Sequence, residues 1–162
     1  MNKFTTCFFA AAISAMFLAP VQAGAQSLKD AKKTFQSGGW SVLRSVDQMT
    51  DKATCTGIYK ADYGIQLTPA KLFLNVSGGI QTVTLRFDDS PANQMRLATS
   101  LEKEIRAVIL DDNEFTQALA SKRIRYQVLT LVRGVATGDI DLTGAMEAQR
   151  HITDGCPDVK SQ

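Results

Sequence analysis

Histidine and cysteine are scarce in this chain: one of the former and three of the latter among 162 residues. A single imidazole excludes a multi-histidine metal cage and leaves at most one histidine for acid–base work. Neither sign of charge is in marked excess, with 18 basic against 16 acidic side chains. A dedicated nucleic-acid binder concentrates its basic residues on one face, so that class is disfavoured. The sequence has no Cys-x-x-Cys or zinc-ligand spacing and no Gly-x-Ser-x-Gly elbow. Internal repeats, low-complexity tracts and interdomain linkers are lacking too. What remains is an ordinary globular composition, 44% hydrophobic and 21% charged, sized for one domain.

The N-terminus has a different character. Lys3 stands in a short polar start, an apolar run follows from Phe8 to Leu18, and Pro20 precedes the small-residue tripeptides Val21-Gln22-Ala23 and Ala23-Gly24-Ala25. This is the pattern of a secretory signal peptide over residues 1–25, with cleavage after Ala23 or Ala25. The apolar run falls well short of the roughly 20 residues that a spanning helix needs. Cys7 lies inside the leader, too early to be the lipidated cysteine of a lipoprotein. The expected location is periplasmic or secreted, with no transmembrane segment in the mature chain.

Export leaves Cys55 and Cys156. In an oxidising compartment the simplest reading is one internal disulfide; a free buried pair and an intermolecular link are the alternatives. An internal bridge would close a loop of about 100 residues, worth roughly 4–5 kcal/mol in the chain-entropy model.

Along the mature chain, residues 27–37 carry a short helical pattern with Leu28, Ala31 and Phe35 on one side. Ser27 and Asp30 are spaced as a cap, and Gly38-Gly39 would stop the helix. This piece, residues 26–39, reads as a helical lead-in to a β domain over 40–157. Strand signals follow at 40–46, 52–59, 65–67 and 71–76. Ser77-Gly78-Gly79 reads as a hairpin turn into 80–87, where Val83, Leu85 and Phe87 share a face and Gln81 is a polar exception. Asp88-Asp89-Ser90-Pro91 closes that strand. Extended segments are expected around 94–99 and 104–110, then a helix at 113–121 capped by Asp111 or Asp112. The clearest strand is 123–132, with Ile124, Tyr126 and Val128 facing one way and Arg123, Arg125 and Gln127 the other. A strand at 135–141 and a helix from about Thr143, with Leu142, Ala145, Ala148 and Ile152 along one stripe, complete the chain. Short turns favour antiparallel pairing, so the expected fold is mainly β (α+β): one antiparallel β-sandwich-like domain with two or three short helices.

Few residues suggest chemistry. The doublets Asp88-Asp89 and Asp111-Asp112 could hold calcium or act as paired carboxylates, but both sit where strands end and read better as turn and cap residues. Gly138-Asp139-Ile140-Asp141 lacks the spacing of a calcium loop. His151 has no nucleophile or carboxylate partner in the pattern. Trp40 and Tyr126 read as core. No catalytic residue, metal site or cofactor is therefore expected. The best surface candidate is a basic stripe of Lys122, Arg123, Arg125 and Arg133, which could dock an anionic partner. If Arg123 and Arg125 stand on a solvated strand face, reversing their charge should leave folding nearly intact.

A resemblance covers residues 40–156. It is carried by Trp40-Ser41-Val42, Thr50-Asp51, Leu85-Arg86-Phe87-Asp88 with Pro91, a Phe115 helix before Arg123-Ile124-Arg125, the Asp141–Met146 helix start and Cys156. In these the chain resembles the VasI-like family, small periplasmic accessory proteins associated with type VI secretion. More distantly it is similar to the invasion-associated locus B proteins. The Arg-Leu-x-Cys-Tyr-Asp-like segment that VasI-like members often carry near the N-terminus is absent between Gln26 and Gly39. The resemblance implies an exported β-sandwich accessory or binding module with no catalytic residues to carry over. The function expected is that of a non-catalytic envelope protein linked to a secretion system or to host interaction. Its partner would be another envelope or secreted protein, or an anionic envelope polymer. The alternative is an inhibitor or immunity protein against a cell-wall-active enzyme.

Overall fold

The computed structural model describes residues 31–157. The expected leader and the Ser27 and Asp30 cap lie outside them. Ten strands and three helices follow in order: β1 (Lys32–Ser37), β2 (Trp40–Val46), β3 (Ala53–Tyr59), β4 (Asp62–Leu67), β5 (Leu72–Asn75), β6 (Ile80–Phe87), β7 (Arg96–Leu97), α1 (Ser100–Ile105), β8 (Ala107–Leu110), α2 (Asp112–Ala120), β9 (Arg123–Thr130), β10 (Gly134–Asp141) and α3 (Ala145–Thr153). They form two antiparallel sheets, a six-stranded one ordered β1-β2-β3-β4-β5-β8 and a four-stranded one ordered β10-β9-β6-β7. One buried cluster draws Trp40, Leu67, Leu74 and Leu110 from the first sheet and Leu85, Phe87, Ile124 and Val128 from the second. The mainly β domain expected from the short alternating runs is the one observed.

The lead-in is a correction. Residues 32–37 form a strand, not a helix, and pair antiparallel with β2 from Lys32 opposite Arg44 to Ser37 opposite Trp40. Helix propensity over so few residues is weak, and tertiary pairing overrides it. Gly38-Gly39 do not stop a helix but turn the β1–β2 hairpin. Gly38 has a φ of +54°, and a Cβ there would strike the Thr143 carbonyl where α3 begins. The hairpin tip can therefore lie against the start of α3 only without side chains.

A second correction concerns Ser77-Gly78-Gly79. The segment is not a hairpin, because β5 and β6 belong to different sheets. It is the crossover between them, held by Leu131 and Val132, whose N–H groups donate to the carbonyls of Gly79 and Gly78 at 2.7 and 3.0 Å. The Gln81 exception has a physical cause too. The register with β9 shifts between Ile80 and Thr82, so Ile80 and Val83 are both buried although three apart. The freed Gln81 carbonyl accepts the Ala98 N–H at 2.9 Å.

Between the extended segments expected around 94–99 and 104–110 lies α1, which takes residues 104 and 105 from the second. Its signal was a capping box: the Thr99 hydroxyl accepts the Glu102 N–H, and the Glu102 carboxylate accepts the Thr99 N–H. At α2 the expected cap is absent. Asp111 occupies the N-cap but makes no side-chain cap bond, and its carboxylate pairs instead with Lys71 Nζ at 3.2 Å. The strand expected over 123–132 ends at Thr130, and residues 131–133 form the β9–β10 turn. α3 lies across β1, β2 and β3 and buries Ala145, Ala148 and Ile152. Cys55 of β3 is bonded to Cys156 just beyond α3, with Cα atoms 6.3 Å apart. The bridge thus fastens the last helix to the sheet beneath it.

Candidate functional site

Alternation places half of β6, β9 and β10 on the outer face of the four-stranded sheet. There the register builds cross-strand rows: Arg86–Arg125–Asp139, then Thr84–Gln127–Thr137, then Thr82–Leu129–Val135 with Leu97 beyond Thr82. The face therefore grades from charged through polar to apolar. Its apolar row is open to solvent, with Leu97, Leu129 and Val135 exposed by 76%, 43% and 57%. The charged and polar rows floor a shallow groove of about 460 Å³, flanked by Ala92. On the inner face Tyr126 lies across Gly138, where a Cβ would overlap the phenol ring. Burial, then Asp62, raises the Tyr126 hydroxyl above its usual pKa.

The four basic residues of the expected stripe are not brought together. Arg133 sits in the β9–β10 turn, roughly 25 Å along the strand from Arg125. Near the other end, the Asp88 and Asp89 turn engages the rest. Asp88 stands in the left-handed region, and its Oδ1 accepts the N–H groups of Lys122 and Arg123, both at 2.9 Å. Arg123 reaches Asp89 Oδ1 at 3.3 Å. Arg125 Nη2 donates to the Asp88 carbonyl at 2.8 Å and lies 3.5 Å from Asp89 Oδ1. Arg86, outside the expected stripe, donates through Nε to the Ser90 carbonyl at 2.8 Å. Three guanidiniums thus brace one turn, and the Arg125 Nε is left without a hydrogen-bond partner. The Arg123→Glu/Arg125→Glu pair would place carboxylates beside Asp89 and Asp139. We expect it to cost about 1–3 kcal/mol in urea unfolding, more than a plain surface change. A loss below about 0.5 kcal/mol would mean that the bracing contributes little.

A further cluster escaped the sequence reading. Arg96 of β7 holds Glu102 through Nη1 and Nη2, both at 2.9 Å, and Glu114 of α2 through Nε at 3.0 Å. Glu102 is 1% exposed and also accepts the Ile109 N–H at 2.9 Å. Burial alone would raise its carboxyl, but Arg96 and the Ile109 and Thr99 N–H groups outweigh it and hold the group below the usual glutamate range. The same bonds to Glu102, opposed by burial and helped by Glu114, raise the Arg96 pKa. Each Arg96 nitrogen faces an acceptor, so this is a joint between β7, α1, β8 and α2. The Thr99-x-x-Glu102 spacing was the legible sign of it.

No family model matches the chain, and no curated protein matches it. The type VI secretion-associated resemblance is therefore without a supporting match. Among solved structures the chain is similar to invasion associated protein B from Bartonella henselae, at 14% identity and a TM-score of 0.49. The alignment covers 76% of this chain and 96% of that one. A likeness so distant carries no residue or activity across.

The remaining candidates have structural neighbours. His151 stacks on Phe35, ring centroids 4.7 Å apart, and its Nε2 lies 3.2 Å from the Thr34 hydroxyl. It helps seat α3 on β1. Asp141 accepts the Thr143 N–H at 2.8 Å, and its bonds to Thr143 hold its carboxyl below the usual range. Trp40 is fully buried beside Tyr59, whose hydroxyl accepts the Asp141 N–H at 3.2 Å. Among the described residues, no three His, Cys, Asp or Glu side chains are placed to share a metal ion, and no helix is long and apolar enough to cross a membrane.

Proposed function

We propose that the protein is an exported, non-catalytic binding module of the bacterial envelope, periplasmic or secreted, which engages another protein through the groove on its four-stranded sheet. The observation that carries this reading is the Arg86–Arg125–Asp139 row beside Thr84, Gln127 and Thr137. Arginines are enriched where proteins meet, and these two are already held by turn carbonyls. Little side-chain entropy is left for them to lose on binding. Asp88, Asp89 and Asp139 offset the basic charge, which favours a protein partner over a polyanionic envelope polymer. Export is supported by the signal pattern of residues 1–25 and by the Cys55–Cys156 bridge.

The test is site-specific photo-crosslinking in the exporting cell. A photoreactive residue at Gln127 should give one discrete adduct, and the same residue at the exposed Met49 should give none. An Arg125→Ala change should weaken the Gln127 adduct severalfold. Equal labelling from both positions, or an adduct indifferent to Arg125, would overturn the assignment.

A further inference from the structure

The far end of the same hairpin carries a different surface. Leu131 and Val132 stand side by side at the apex of the β9–β10 turn, 75% and 79% exposed. The turn is not loose. Thr130 Oγ1 accepts the Arg133 N–H at 3.1 Å and donates to the Gly134 carbonyl at 2.8 Å. The N–H groups of Leu131 and Val132 are spent on the Gly79 and Gly78 carbonyls. Both apolar side chains are thus fixed outward while their backbone donors are satisfied inward. Ile105, 41% exposed, and Arg106 line the adjoining recess of about 620 Å³ with Leu131 and Val132, and no carboxylate lines it. Arg133 follows directly in the turn, and both Arg106 and Arg133 are exposed.

We propose that this tip inserts into the interface of a membrane carrying anionic lipid. Leu131, Val132 and Ile105 would enter the boundary between headgroups and acyl chains, with Arg106 and Arg133 at the lipid phosphates. Three features of the tip favour a bilayer over a protein groove. Leu131 and Val132 project from the apex of a turn and only border the recess beside it. The charged groups that line the recess and follow the apex, Arg106 and Arg133, are cationic, which complements an anionic surface. Entry of the two aliphatics leaves neither of their N–H groups unpaired, the condition that a low-dielectric medium imposes. Peripheral binding of this kind scales with the apolar area buried and with attraction to anionic lipid.

Flotation of the exported, purified protein with vesicles tests the proposal. Vesicles of phosphatidylglycerol in phosphatidylethanolamine should carry the protein up, and vesicles of phosphatidylcholine alone should not. Leu131→Ser/Val132→Ser should abolish flotation. Arg106→Gln/Arg133→Gln should weaken it about fivefold per arginine removed, and high salt should mimic that change. Met49→Ser, which removes an exposed apolar residue elsewhere, should float like the parent. Each variant is first shown to keep the parental thermal midpoint, and Leu131→Asn serves if the double serine variant does not. Equal flotation on neutral vesicles overturns the proposal. So does flotation unaffected by the tip variants, or a tip whose only effect is to drive self-association or capture by another protein.

Discussion

Glu102→Gln is expected to destabilise the protein by about 3–5 kcal/mol, the cost of leaving one partner of a buried ion pair uncompensated. Glu102 is 1% exposed, and its two oxygens receive two bonds from Arg96 and the N–H groups of Thr99 and Ile109. The amide keeps the shape but can accept at only one of its two ends. Its NH2 would then face a guanidinium or a backbone N–H, donor against donor. Because Arg96 also holds Glu114, the loss should spread to the seating of α2. The pH dependence has a definite sign. The folded-state pKa of Glu102 lies below its ordinary value of 4.5, so its contribution is complete above that value and is lost as pH falls through the lowered one. Urea unfolding at neutral pH and in acid should show the parent losing stability on acidification and Glu102→Gln losing less. Equal midpoints at neutral pH would show that the cluster contributes nothing to stability.

Reduction of the Cys55–Cys156 bridge should cost a similar amount, roughly 4–5 kcal/mol in the chain-entropy model. The two residues are separated by 101 positions, so the crosslink removes a large share of the freedom of the unfolded chain. Cys156 is 1% exposed and lies three residues past the end of α3, whose apolar stripe covers β1, β2 and β3. Cys55→Ser/Cys156→Ser is therefore expected to lower the urea midpoint strongly and to let the C-terminal helix exchange its amide protons first. Protein from an oxidising compartment should show no maleimide labelling at either position until it is reduced. Labelling of both thiols in native, non-reduced protein would contradict the assignment.

Both effects rest on features that were unequally visible beforehand. The cysteine pair was legible because only two cysteines remain beyond the expected leader. The pairing of Cys55 with Cys156 is a contact that the fold supplies. The Arg96–Glu102–Glu114 joint left only the Thr99-x-x-Glu102 cap as a trace. Its other half depends on bringing β7 beside α2, and no local pattern encodes that approach.

By itself the sequence determined the strands that alternate cleanly, since a period of two buries one face whatever the neighbouring strand is. β9 and the Val83–Phe87 part of β6 are of this kind, as is the opposition of Ile124 and Val128 to Arg123 and Arg125. β2 and β3 were marked instead by β-rich runs between polar turns. The stripe of α3 and the glycine after it were equally local. Only the tertiary structure decided what those elements meet. Residues 32–37 became a strand because β2 offered an edge, and Ser77-Gly78-Gly79 became a crossover because the chain changes sheets there. Arg123 and Arg125 were rightly placed on one face, but the Asp89 carboxylate that engages them comes from 34 and 36 residues away. Leu131 and Val132 continued an apolar strand pattern in the sequence, yet they stand in solvent at the apex of a turn. Periodicity reports which side of a strand is apolar. Where the strand stops, and which distant charges and carbonyls meet its side chains, is set by contacts far apart in the chain, whose energies outweigh local preference.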